Sequence, residues 1–131
     1  MGEAAAKQGD RVIGTDVHVV LVPSSGGPVP TPMSLPFTAT ITERCSPDVS
    51  IEGKAAAVAG SGTANQPPHV APTGRFAREP ANRGRVLLGS ATVFVNGKPA
   101  ARAGDRVLTC NDPADAPSGV VQATSTVLIG R

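Results

Sequence analysis

The chain repeats itself. Asp48–Gly60 reads DVSIEGKAAAVAG and Thr92–Gly104 reads TVFVNGKPAARAG, so Gly53-Lys54 returns 44 residues later as Gly97-Lys98. At the same offset Ala56, Ala57, Ala59 and Gly60 fall on Ala100, Ala101, Ala103 and Gly104. Around the second copy, Val93, Val95 and Val107 give short β-type alternation, and Asn96-Gly97 in that setting is a strong hairpin signal. A further turn is expected at Gly104-Asp105. A third copy is cut by the chain ends: Ser125–Gly130, STVLIG, matches Ala91–Asn96, ATVFVN, and Gly9-Asp10-Arg11-Val12 repeats Gly104-Asp105-Arg106-Val107. The first and last strands therefore read as halves of one unit, which implies a closed ring of three units with the termini side by side. Units of this kind cannot bury an apolar face alone, and about three are needed before stacking makes a core.

Composition narrows what such a ring is made of. With 131 residues, one domain spanning 1–131 is expected. There is no Trp or Tyr, the only aromatics are Phe37, Phe76 and Phe94, and there are 15 glycines and 13 prolines. Large side chains usually dominate core energetics, so here Val, Ala, Ile and Leu must fill thin layers between closely approaching backbones. Few windows long enough for a helix escape a Gly or Pro; Glu3–Gln8 is short and terminal. The expected fold is all-β, with three quasi-equivalent hairpin units, pseudo-three-fold symmetry and little or no helix.

A net charge of +2 with no basic run argues against nucleic-acid binding, which needs a clustered basic footprint. No apolar segment approaches the roughly 18 residues of a membrane span. MGEAAAKQGD lacks the apolar core of a signal peptide, so the chain is expected to stay cytosolic unless a non-Sec route exports it. Two cysteines in that compartment read as thiols or metal ligands before a disulfide.

Along the chain, Gly9–Leu21 is the first strand region, with Gly14-Thr15-Asp16 expected as a bulge or turn. Pro23–Pro36 is rich in Pro, Gly and Ser. Met33, Leu35 and Phe37 alternate through its end, so about residues 22–38 are expected to lie extended or polyproline-like, pinned to the surface. Its formal PxxP spacing reads as loop chemistry. Thr38–Thr42 is a Thr-rich strand. Thr63–Asn82 and Asn111–Gly119 are irregular excursions, and loops as long as the first are usually functional or pinned.

The two histidines keep phase with the repeat. His18 follows Gly9 by nine residues and His69 follows Gly60 by nine; in the third unit Cys110 follows Gly104 by six. Related by a three-fold axis, His18, His69 and Cys110 converge on it, and two imidazoles with a thiolate suit Zn²⁺, with Fe²⁺ as the alternative. Cys45, which stands where Gly89 stands in the next repeat, is the candidate fourth ligand. A Cys45–Cys110 disulfide and simple burial of the thiols are the competing readings. The metal is expected to be structural, because a chain this poor in large apolar groups needs a staple. Asp10, Asp16, Asp48, Asp105, Asp112 and Asp115 read mostly as turn residues. With no GxSxG elbow or phosphate-binding Gly loop, an enzyme is not expected.

Pro99-Ala100-Ala101-Arg102, set in GSATVFVNGKPAARAGD, spells the motif that names PAAR proteins, and the likeness extends to NQPPH at 65–69 and TCNDP at 109–113. The chain resembles PAAR-like spike-tip proteins of contractile injection systems, both type VI secretion systems and extracellular phage-tail-like particles. The resemblance implies a sharp β-cone that caps a trimeric VgrG-like central spike, one chain per trimer, and carries a metal near its point. It implies a mechanical part in membrane puncture, attachment of effector proteins, and exposure at the tip of the particle. The middle copy, KAAAV at 54–58, lacks the Pro and Arg of the motif. Family members often carry three histidines and a cysteine as ligands; this chain has two histidines, which leaves the fourth position open. No appended effector domain is expected. A stand-alone metal-stabilised β-module that binds protein or carbohydrate is the second reading, and a metal-dependent hydrolase the third.

Overall fold

Residues 2–130 are described in a computed structural model of the protein. Met1 and Arg131, expected side by side, lie outside the described residues. Among the described residues thirteen strands run in the order β1 (Glu3–Ala4), β2 (Arg11–Val22), β3 (Val29–Glu43), β4 (Ser50–Ile51), β5 (Lys54–Ala55), β6 (Gly62–Asn65) and β7 (Arg75–Phe76). There follow β8 (Arg83–Val86), β9 (Phe94–Val95), β10 (Lys98–Pro99), β11 (Arg106–Thr109), β12 (Ala116–Gln122) and β13 (Leu128–Ile129). Among the described residues there is no helix, so none is long and apolar enough to cross a membrane.

The repeat folds as three small antiparallel hairpins. β4 pairs with β5 and β9 with β10. β13 pairs with β1, Glu3 opposite Ile129 and Ala4 opposite Leu128, so the two chain ends complete the third hairpin. Glu52-Gly53 and Asn96-Gly97 have φ of 52° and 83°, and 52° and 78°. Two consecutive positive φ values identify type I′ turns, whose twist matches that of the flanking strands.

Beside the hairpins, three alanine segments bond to one another around an axis. Ala6 N–H donates to Ala101 O, Ala101 N–H to Ala57 O, and Ala57 N–H to Ala6 O, each at 3.0 Å. Outside this ring a second cycle runs from Gln8 to Ala55, from Ala59 to Pro99 and from Ala103 to Ala4. Successive side chains of a strand point to opposite faces. Ala5, Ala56 and Ala100 accordingly join Ile51 and Ile129 in a core under the hairpins. Ala6, Ala57 and Ala101 face the other way, into the main core with Val12, Ile41, Val86, Val107 and Val121. Only a side chain as small as Ala lets three backbones meet this closely.

Each segment ends on a tied turn. Arg102 grips Asp105 through two nitrogens, at 2.8 and 3.2 Å, Lys7 pairs with Asp10 at 3.1 Å, and the backbone N–H of Val58 donates to Ser61 Oγ at 2.9 Å. The middle copy therefore lacks the arginine because its turn carries Ser61 in place of the aspartate, and a hydroxyl needs no cation. Gly9, Gly60 and Gly104 hold the turn at φ of 93°, 96° and 90°.

Past the turns, β2, β6 and β11 rise and β3, β8 and β12 return. Their sheet order is β12-β11-β8-β6-β3-β2, and β2 pairs back onto β12, which closes a six-stranded barrel. Six strands enclose the level of Val12, whereas at Val20 only β3 and β7 remain paired with β2. The molecule thus narrows away from the hairpins into the conical all-β form.

One sequence expectation changes here. Gly14-Thr15-Asp16 is neither bulge nor turn but the middle of β2, in register with β3 and β12. Gly14 is required by close approach: a Cβ there would lie 2.5 Å from Ser118 O and 2.9 Å from Gly119 Cα. Gly14→Ala should cost about 2–3 kcal/mol through overpacking, read as a lower urea midpoint at unchanged slope.

The proline-rich segment from Val29 onward is a regular strand, paired with β2 from Val22↔Val29 to Arg11↔Thr40. Thr38 directs its N–H and C=O away from β2, toward Asn65 and Gln66. Pro30, Pro32 and Pro36 share its parity, so the donor each lacks is one that β2 could not have received. Proline on an outward edge blocks pairing with other chains.

Candidate metal centre

Alternate residues of β2 thread every layer of the cone. Val12 lies in the main core, Asp16 and His18 above it, and Val20 in an upper cluster with Leu35 and Phe76. A period of two places all four side chains on the inner face. Asp16 and His18 are 0 % and 1 % exposed. Apolar layers below and above them leave the middle of β2 as a buried polar chamber.

The other walls come from the two excursions. Cys110 directly follows β11, buried between Thr109 and Asn111. His69 is placed by Asn82, whose Oδ1 accepts the His69 backbone N–H at 2.8 Å and a bond from Asn65 Nδ2 at 3.2 Å. Phe37 and Phe76 stand against the imidazoles, with ring centroids 6.4 Å from His69 and 5.9 Å from His18 respectively. The two imidazoles are 5.0 Å apart, tilted by 57°.

Asp16, His18, His69 and Cys110 bring one ligand atom each to within 4.8 Å of all the others. Asp16 is oriented by its strand-end neighbours: Thr109 Oγ1 and Asn111 Nδ2 donate to Oδ1. That aims Oδ2 at the cluster, 2.8 Å from His69 Nε2 and 3.4 Å from Cys110 Sγ. Burial pushes the Cys110 thiol up to about 11, and the Asp16 carboxylate adds to the shift. Both ring nitrogens of His18 are buried without a hydrogen-bond partner; Asp112 Oδ2 stands 3.5 Å from Nδ1, within ion-pair reach but beyond a good hydrogen bond.

A buried imidazole with no partner, a buried carboxylate and a thiol converging on one point leave polar atoms that a cation would satisfy. The cluster can hold a metal ion. Nitrogen, nitrogen, sulfur and oxygen donors in this number suit tetrahedral Zn²⁺, and the thiol, deprotonated on binding, favours it over harder divalent ions.

Of the residues singled out in the sequence, the fold brings His18, His69 and Cys110 together. Cys45 lies outside the cluster: it is half-buried against the main core, its thiol near the Glu43 carbonyl, and both cysteines are free thiols. The donor that sequence reasoning set aside is Asp16, taken for a turn residue. Its signal was parity, since residue 16 shares the inner face with Val12, His18 and Val20.

The family model described as PAAR motif matches residues 78–131. No curated protein matches the chain. The match begins at the foot of β8 and runs through the third alanine segment, Cys110 and the closing strand β13.

Proposed function

We propose, from the premise that this chain is a PAAR-repeat protein, that residues 1–131 act as one domain. In this reading it caps and sharpens the trimeric central spike of a contractile injection system. The cycle of alanine hydrogen bonds carries it, because a single polypeptide that repeats one pattern three times about an axis is the natural lid for a three-fold shaft. Around that ring the hairpins offer exposed apolar side chains, Val49, Phe94, Val127 and Leu128, of which Phe94 and Leu128 are 57 % and 64 % exposed and hold equivalent positions. Open strand ends on a trimeric spike, an aggregation hazard if left bare, would be covered by β-augmentation and apolar contact on this face.

The narrow end then points outward. His18, His69, Cys110 and Asp16 are the proposed ligands of a structural zinc ion, which when bound supplies a tie between β2, β11 and the 65–82 excursion. Asp16 and Cys110 hold that tie from below, and Phe37 and Phe76 keep water from it. Such a tip resists blunting when driven through a target membrane, and no turnover is required of it. Assembly in the cytosol, delivery at the front of the particle and carriage of effector proteins complete the reading.

Native mass spectrometry of the protein with a trimeric VgrG-like spike tests it. One chain per trimer is expected; three chains per trimer, or none, would overturn it. Phe94→Asp with Leu128→Asp should weaken the complex at least about 30-fold, since a buried aromatic anchor is commonly worth 2 kcal/mol or more. The melting temperature of the free protein should barely change, as both side chains are already in solvent.

A further inference from the structure

The chamber is not closed on every side. A cavity of about 300 Å³ opens beside it, lined by His18, Cys110, Asn111, Asp112, Arg78 and Asp115 among others. The carboxylate at its inner end, Asp112, is 7 % exposed and held on three sides. Its backbone N–H donates to Val17 O at 2.8 Å, and its Oδ2 accepts the Val19 N–H at 2.8 Å. Its Oδ1 accepts a 2.7 Å charged bond from Arg78, which itself is anchored on Asn111 O at 3.0 Å. Val17 and Val19 flank His18 in β2, so the carboxylate is bolted across the imidazole's own strand. Oδ2 remains 3.5 Å from His18 Nδ1, among the described residues the one carboxylate within ion-pair reach of that ring that is not itself a member of the cluster.

Resting on the metal reading above, we propose that Asp112 is the positioning residue of the centre. With the ion bound, its Oδ2 accepts the Nδ1–H of His18, fixes the tautomer that leaves Nε2 for the ion, and is held in place by Arg78. A neutral imidazole has one donor and one acceptor nitrogen, so the partner of the first decides the direction of the second. A metal-bound histidine commonly gives its other N–H to a carboxylate, which orients the ring and raises its basicity. The His69 ring already has a partner in Asp16 Oδ2, 2.8 Å from its Nε2. Among the described residues, the carboxylate within ion-pair reach of the His18 ring is that of Asp112. The side of the centre that faces the cavity is thus latched by an Arg78–Asp112–His18 chain running from an exposed guanidinium to a buried ring.

Asp112→Asn keeps the shape and the acceptor for Val19 while removing the charge. Co²⁺ and Zn²⁺ affinities are read by competition with a chromophoric chelator, with the Co²⁺ d–d bands as the spectroscopic signature. Asp112→Asn should bind one ion with roughly 10–100-fold lower affinity and shifted d–d bands. Arg78→Ala should act in the same direction by a smaller factor. Asp115→Asn, which lines the same cavity without reaching His18, should leave both readouts unchanged. The metal-free proteins should melt together.

Equal affinity and an identical spectrum for Asp112→Asn overturn the positioning role alone. So does an equal loss from Asp115→Asn, which would reduce the effect to the charge of the cavity, or a melting loss as large without metal as with it, which would reduce Asp112 to a structural bond. A parent protein that binds neither ion removes the metal reading and this one with it.

Discussion

Stripping the centre with a chelator should lower the melting temperature by about 10–20 °C while the β-sheet circular dichroism persists at room temperature. An ion that binds only the folded chain adds about 4 kcal/mol at a thousandfold excess over its Kd, and a domain of this size moves a few degrees per kcal/mol. The sheet should survive because the main core around Val12, Ile41, Val86, Val107 and Val121 lies below the centre and contains no ligand but Cys110. His69→Ala should reproduce the loss and make the protein indifferent to chelator. It also takes from Asp16 Oδ2 its 2.8 Å contact with His69 Nε2, leaving that buried oxygen the weaker 3.4 Å bond from the Cys110 thiol, and a poorly satisfied buried carboxylate is costly. The variant should therefore melt below the stripped parent. Calorimetry of the parent with and without chelator, with metal content measured on each sample, decides it. A parent that carries one ion and melts within 2 °C of its stripped form would show that the fold does not lean on the centre.

Ala101→Leu should be among the most damaging single changes in the chain outside the centre. Inserting methylenes into a packed core typically costs about 1–3 kcal/mol, and this site is worse placed than most. Ala101 is 0 % exposed, its amide and carbonyl both belong to the 3.0 Å ring, and Ala6 and Ala57 face it from the other two segments. No backbone can retreat without breaking a bond of the cycle, so a loss above about 3 kcal/mol or insoluble expression is expected. The three-fold arrangement sharpens the test. Ala6→Leu and Ala57→Leu should cost the same as Ala101→Leu within about 1 kcal/mol, because the three positions are equivalent. Urea unfolding of the three variants checks this; a tolerated leucine at any one of them would show that the axis is loosely filled there.

The repeat made much of this fold legible before any coordinate. Gly53, Gly97 and the alanine runs located two hairpins, and the split copy required β13 to meet β1. The pairing of His18 and His69 by phase was legible for the same reason: an offset preserved through a turn preserves height along the barrel. Cys110 is out of that phase by three residues and reaches the cluster from directly behind β11. Asp16 was missed because an aspartate two residues after a glycine looks like turn chemistry. Gly14 turned out to serve close contact with Ser118 and Gly119, a long-range demand with no local signature.

By itself, then, the sequence determined the three-unit ring, the absence of room for large side chains on its axis, and the turns of the two hairpins whose strands are joined in sequence. These follow from local conformational preference and from periodicity, which a linear text records. Only the tertiary structure decided that residues 16, 18, 69 and 110 share one chamber, that Cys45 stands apart, and that Asp112 lies against His18. Such neighbours are set by how far each strand rises before it bends and by which backbones may touch. Those distances exist only once all three units have closed on one another.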